Sequence, residues 1–150
     1  MRKKGLDHSI GFQLGNAHRK LSHLFMLRTK QYDITPEQWG VLYRVREEDG
    51  LIQREIAQRS GKDKPTTTRI LDVLETKGLI TKQAGKSDRR SFHVFITEQG
   101  KFIADAIEPI EYRTVGDVLD TLTDEEYELM CTVLNKISQQ ATELATLEKE

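Results

Sequence analysis

The feature that most constrains this chain is one change of apolar period near its middle. From Gln53 to Lys77 apolar residues recur every three or four positions; after Leu79 that period is lost, and Phe92, Val94 and Ile96 alternate with Ser91, His93 and Phe95. The first spacing lines one face of a helix and the second lines one face of a strand. In the helical half, Gln53 to Ser60 reads as a helix with Ile56 and Ala57 inward, and Ser60-Gly61-Lys62-Asp63 reads as a tight turn. A second helix is expected from about Lys64 to Lys77, with Pro65 in its first turn, Ile70, Leu71 and Leu74 facing a core, and Gly78 just past its end. Two short helices joined through a glycine turn make a helix-turn-helix. In the alternating half, Leu79 to Gln83 and Ser91 to Ile96 read as strands around the turn-like Ala84-Gly85-Lys86-Ser87-Asp88, a hairpin with a charged tip.

Long helices bracket this unit. Ile10, Leu14, Ala17, Leu21, Leu24 and Phe25 fall on one stripe of a helix expected over Ile10 to Gln31. Thr35-Pro36-Glu37-Gln38 is a strong helix start: Thr35 can cap, Pro36 suits the first turn and Gln38 can reach back. Trp39, Leu42, Tyr43 and Val45 then supply apolar surface before Asp49-Gly50 ends that helix, and Leu51-Ile52 suggests a very short strand. After Thr97 a helix is expected to about Asp120, with Pro109 kinking or breaking it. Thr123-Asp124-Glu125-Glu126 opens a last helix on which Tyr127, Met130, Cys131, Leu134, Ile137, Ala141 and Leu144 recur. The fold class expected is mainly α with a small β-hairpin wing. Residues 35–97 form the winged helix-turn-helix, and residues 1–34 and 98–150 form a helical dimerisation region of one continuous fold.

Charge and composition narrow the function. Nothing approaches the roughly 18-residue apolar run of a membrane span, and a polar stretch follows the basic start where a signal peptide would have an apolar core. A cytoplasmic location and no membrane partner are expected. One cysteine excludes an internal disulfide and a multi-cysteine zinc site. The net charge of −1 hides an asymmetry. The first fifty residues carry nine Lys or Arg against six Asp or Glu, the next fifty ten against six, and the last fifty four against twelve. A polyanion would meet the first two thirds and be repelled by the rest.

The second helix of the helix-turn-helix carries Lys64, Pro65, Thr66, Thr68 and Arg69 at its start, with Lys62 just before it. Arg69 can pair bidentately with guanine, the threonines can touch phosphate or a thymine methyl, and Lys62 adds a phosphate-binding charge. The bland alternative is that Thr66-Thr67-Thr68 only caps the helix and Arg69 is solvated; on this pattern alone the two readings weigh equally. The hairpin tip carries Lys86, Asp88, Arg89 and Arg90. Such a tip is narrow enough for a minor groove, where arginine is favoured. Asp88, two residues before Arg90, can aim that guanidinium through a salt bridge. An ordinary solvated turn is the commoner fate of such tips, but the position directly after a helix-turn-helix argues against it. A single such motif covers few base pairs, and the apolar stripes at both ends exceed what one winged unit can cover, so a homodimer on double-stranded DNA is expected.

Six segments in this order resemble the MarR (multiple antibiotic resistance regulator) family: Thr35-Pro36-Glu37-Gln38-Trp39; Glu55-Ile56-Ala57; Pro65 through Leu71; Leu74 through Ile80; Asp88-Arg89-Arg90-Ser91; and Ile96 through Gly100. The likeness covers about residues 10–145. It implies a homodimer held by its terminal helices on a palindromic operator, usually as a repressor. It also implies a recognition helix beginning near Lys64, a wing arginine at Arg90 supported by Asp88, and release from DNA by a small, often aromatic or phenolic, ligand. That ligand would sit among the first, second and fifth helices, where Phe25, Trp39 and Tyr43 are the candidate contacts. No cofactor is implied.

The chain departs from the family at several points. Ile52 stands where Thr or Ser often caps the third helix, and Thr67 where an apolar residue is usual. The first helix has no cysteine of the peroxide-sensing kind, and Cys131 reads as an inert buried thiol. His8, His18, His23 and His93 are too scattered for a zinc-sensing site. No catalytic motif appears, so no enzyme is expected. The rival readings are a winged-helix protein-interaction module without DNA binding and a redox-responsive regulator acting through Cys131.

Overall fold

The computed structural model describes residues 4–85 and 91–149. Six helices and three short strands follow in the order α1 (Ile10–Thr29), α2 (Pro36–Glu47), β1 (Leu51–Ile52), α3 (Gln53–Ser60), α4 (Lys64–Thr76), β2 (Ile80–Ala84), β3 (Phe92–Ile96), α5 (Glu98–Leu119) and α6 (Asp124–Leu147). The protein divides into two compact units, residues 1–114 and 115–150. Among the described residues, no helix is long and apolar enough to cross a membrane.

Local chemistry sets most boundaries. α1 tightens into a 3-10 turn over Lys30–Tyr32 and stops at Asp33, whose φ of 51° is left-handed. α2 starts on the expected reciprocal cap: Gln38 N–H donates to the Thr35 hydroxyl at 3.2 Å, and Thr35 N–H donates to the Gln38 side-chain oxygen at 3.3 Å. α3 lacks a side-chain cap at Ile52, as its sequence implies, but the Glu55 carboxylate takes the Ile52 N–H at 3.0 Å. Its end is a glycine cap: Gly61 has φ 63°, and Lys62 N–H reaches back to the Ala57 carbonyl at 3.0 Å. α4 begins at the Asp63 carboxylate, which accepts the Thr66 N–H at 2.7 Å.

The sheet is larger than a hairpin. β3 lies between β1 and β2 and is antiparallel to both. Leu51 opposes Val94 on one side, and Lys82 opposes Val94 on the other. The Asp49–Gly50 turn does more than end α2. Gly50 N–H donates to the Val94 carbonyl at 2.9 Å, and the Asp49 side chain accepts the Ile96 N–H at 2.9 Å.

The core of the first unit gathers Leu42 and Val45 from α2, Ile56 from α3, Leu71 and Leu74 from α4, Ile80 and Val94 from the sheet and Ile107 from α5, all essentially inaccessible. Val41 is equally buried although the sequence pattern did not single it out. Each such side chain contributes about 1.5–3 kcal/mol by leaving water. Phe25 of α1 and Ala104 of α5 enter the same cluster. α5 can approach so closely because Gly100 has no side chain: a Cβ there would lie 2.1 Å from the Leu79 carbonyl oxygen.

Of the kink or break expected at Pro109, the break does not occur: α5 runs unbroken from Glu98 to Leu119. Packing and charge hold it on both sides of the proline. Ala104 and Ile107 are buried before it and Thr114 after it, and Arg46 grips Asp105 at 2.8 Å and Glu108 at 2.7 Å. These contacts offset the hydrogen bond that proline cannot donate.

α6 behaves differently. Thr123 and Glu126 cap it reciprocally, at 3.2 and 2.9 Å, yet none of its residues is buried. Met130, Cys131, Leu134 and Ile137 are half-buried, so Cys131 is less enclosed than the sequence suggested. It hydrogen-bonds Tyr127 one turn earlier, which holds the phenol above its usual range.

Candidate nucleic-acid interface

The exposed surface of α4 begins with the residues that the sequence assigns to base and phosphate contact. Lys64, Pro65 and Arg69 are exposed, and Lys62, Thr66 and Thr68 are half-buried. The opposite face, Thr67, Ile70, Leu71 and Leu74, is buried. The helix is therefore fixed along its back and free along its front, as an inserted element must be.

Hydrogen bonds give each threonine of the run a separate task. Thr66 donates its N–H to Asp63, so the cap is the aspartate and not the threonine run. Thr67 is fully buried, and its hydroxyl donates to the Asp63 carbonyl at 2.8 Å. That bond lets a polar side chain occupy a core position where a bare hydroxyl would be costly. The Thr68 hydroxyl donates to the Lys64 carbonyl at 2.9 Å and accepts from the Gln53 amide of α3. It ties the two helices together.

The Asp63 carboxyl is held below its ordinary range, chiefly by the Thr66 N–H and hydroxyl, with a smaller contribution from the Arg69 charge. A fixed anion at a helix N-terminus is favoured by the helix dipole. Here the Arg69 charge adds a smaller favourable contribution. Further along α4, the exposed Asp72 and Glu75 would repel a polyanion, but Lys82 of β2 pairs with both, reaching Glu75 at 3.8 Å. Sequence reasoning missed Asp63, Gln53 and Lys82. Only Asp63 left a local sign, an acidic residue directly before a Lys-Pro helix start.

Lys86, Asp88, Arg89 and Arg90 lie outside the described residues. Their flanks are paired, Gly85 N–H donating to the Ser91 carbonyl at 3.0 Å, and the ladder continues from Ala84 opposite Phe92.

The three candidate ligand contacts separate. Phe25 is buried in the core and lines neither of two surface cavities. Trp39 and Tyr43 line a cleft of about 420 Å³ between α2 and α5. A second cavity of about 460 Å³ lies among α1, the start of α2 and α4, with His18, His23, Arg69 and Ile70 on its walls. Among the described residues, no cluster of three His, Cys, Asp or Glu side chains is placed to hold a metal ion.

Known proteins share this architecture. A family model for the MarR family matches residues 32–91. A probable transcriptional regulator from Pseudomonas aeruginosa is 26% identical, with a TM-score of 0.81 over 89% of this chain and 99% of its own. MepR of S. aureus, solved in complex with DNA, is 25% identical, with a TM-score of 0.82 over 88% and 98% of the two chains. The repressor CouR on a 23-mer DNA duplex is 25% identical, with a TM-score of 0.79 over 89% and 94%. CouR of Rhodococcus jostii RHA1 has also been solved with p-coumaroyl-CoA.

Proposed function

We propose that this chain, whose residues 32–91 match a MarR family model, is a winged-helix transcription regulator of that family and not an enzyme, acting as a homodimeric repressor of a palindromic operator that is relieved by a small ligand. The observation that carries this reading is the two-sidedness of α4: Lys64, Pro65 and Arg69 are exposed while Ile70, Leu71 and Leu74 are locked in the core. In this reading α4 enters the major groove, with Arg69 on a base edge, Thr66 and Thr68 beside it, and Lys62 and Lys64 on phosphate. The hairpin tip reaches the minor groove through Arg90, aimed by Asp88, with Lys86 and Arg89 on the backbone.

Dimerisation is supported by apolar surface that the single chain leaves open. Ile10, Phe12 and Leu14 on α1 are exposed, as are Tyr127, Leu129 and Leu144 on α6. Residues 1–34 and 98–150 would supply the paired surface, and 35–97 the DNA-binding lobe. Repression and ligand release are supported by the relatives, one a repressor on DNA that also binds an acyl-CoA. The site of action would be the cytoplasm.

Selection of bound sequences from random duplex DNA tests the proposal. Two inverted half-sites about one helical turn apart are expected, with binding that weakens steeply as salt rises. No enrichment, or a shift insensitive to salt, would favour the protein-interaction reading instead.

A further inference from the structure

The cleft between α2 and α5 has a chemistry that the α4 surface does not use. Trp39, Tyr43 and Tyr112 bring aromatic rings to its walls, and Glu108 and Glu111 bring carboxylates. Trp39 and Tyr43 meet edge to face, with ring centroids 5.6 Å apart and planes at 65°, so they form a corner. Tyr112 stands 81% exposed at the rim. The volume, about 420 Å³, suits a ligand of one or two rings.

Charge decides which ligand. Arg44 is the arginine on the cleft wall, and Arg46 lies behind it on α2 against Glu108; both are paired. Arg46 pairs with Asp105 and Glu108, at 2.8 and 2.7 Å. Arg44 pairs with Glu47 at 2.8 Å and donates to the Arg59 carbonyl at 3.1 Å. Glu111 has no ion pair or hydrogen bond among the described residues. Its carboxyl is pushed above its usual range, first by partial burial and then by the neighbouring Glu108 charge. A positive charge in the cleft would answer both causes. The chain itself places a cation on one of these rings: the Arg44 guanidinium carbon lies 5.8 Å from the Tyr43 centroid. A carboxylate ligand would instead meet Glu111 as a like charge, while Arg44 on the wall is already paired with Glu47.

We infer that this cleft binds an organic cation, an aromatic or quaternary amine, with its charged nitrogen against Glu111 and its apolar part against Trp39 and Tyr112. The inference rests on the proposed ligand response for its regulatory meaning, but its chemistry can be tested alone.

Trp39 is the only tryptophan in the chain, so its fluorescence reports on the cleft directly. The full-length protein would be titrated with benzyltrimethylammonium, benzyl alcohol and benzoate. A saturable change with the ammonium is expected, at least about tenfold tighter than with either other probe. Glu111→Gln is expected to weaken ammonium binding on the order of tenfold without lowering the thermal midpoint, because Glu111 has no hydrogen bond or ion pair to lose among the described residues and its charge is disfavoured there. Tyr112→Ala, at an exposed ring, is expected to weaken it several-fold. Benzoate binding as tightly as the ammonium, or unchanged ammonium affinity in Glu111→Gln, would overturn the inference. Gel shifts on the selected operator keep the two readings apart. Intact operator binding without ammonium binding rejects the cation site alone. Ammonium binding without operator binding rejects the proposed repressor and leaves the cleft chemistry standing.

Discussion

Helices α4 and α6 are built alike and end differently. Each starts on an oxygen cap, Asp63 for α4 and Thr123 for α6, and each carries an apolar stripe. α4 buries four residues within its own chain, whereas α6 buries none along 24 residues. A helix gains little from its cap and propensity alone; most of its stability comes from the face that it packs. α4 is therefore a rigid presenter, able to hold Lys64 and Arg69 in place before any ligand arrives. α6 has an unmet demand for apolar contact, which fits a surface completed by a second copy.

The contrast can be broken most forcefully at the two stripes. Leu74→Ala on α4 is expected to cost about 2–5 kcal/mol, because it opens a cavity in a closed core; urea unfolding of the purified protein measures it. Leu134→Glu on α6 is expected to leave that core intact and to shift the protein towards monomer. Sedimentation at several concentrations would show this, and a dimer that persists unchanged would remove α6 from the interface.

A smaller effect is expected on the front of α4. Arg69→Ala is predicted to weaken operator binding by about 1–3 kcal/mol and to relax specificity at one base position, without changing the unfolding midpoint. Titration of wild-type and variant sites at fixed salt would check both. Uniform weakening across sequences would instead make Arg69 a phosphate contact.

Smaller still is the cap. The depressed Asp63 pKa means that its carboxylate stabilises the fold above the ordinary carboxyl value of 3.8 and loses that contribution as the pH falls through its lower folded value. Asp63→Ala should therefore melt below wild type at pH 7, and the gap should narrow on acidification below 3.8. Melting curves across that range decide it; a gap independent of pH would mean that the ionised form carries nothing. The least change is expected from Thr67→Val. It loses one buried hydrogen bond worth about 0.5–1.5 kcal/mol and gains an apolar methyl in return, so unfolding should move by less than about 1 kcal/mol.

Much of the architecture was readable from local pattern. The Thr35–Gln38 and Thr123–Glu126 caps, the Gly61 turn and the alternation of the hairpin strands are settled by neighbours within a few residues, so their signals lie in short stretches of chain. That α5 would continue through Pro109 was not legible, for the converse reason. Its local effect is to break a helix, but Arg46, 63 positions earlier in the chain, grips both Asp105 and Glu108. Thr67 looked like surface or cap, and became core because the Asp63 carbonyl satisfies its hydroxyl. The residues expected at the interface were identifiable by type and place, whereas the supports behind them, Gln53 and Lys82, were not. Their partners, Thr68 for one and Asp72 and Glu75 for the other, lie on a different element.

By itself the sequence determined the order of helices and strands, where each helix begins, and which stripe of each is apolar, because those depend on backbone geometry and period. Only the tertiary structure decided that β1 joins the sheet at β3, that the acidic flank of α4 is neutralised by Lys82, and that Glu111 stands beside aromatic rings without a hydrogen bond or ion pair among the described residues. Those outcomes depend on which distant groups come within a few ångströms of each other, and no local pattern along the chain encodes that distance.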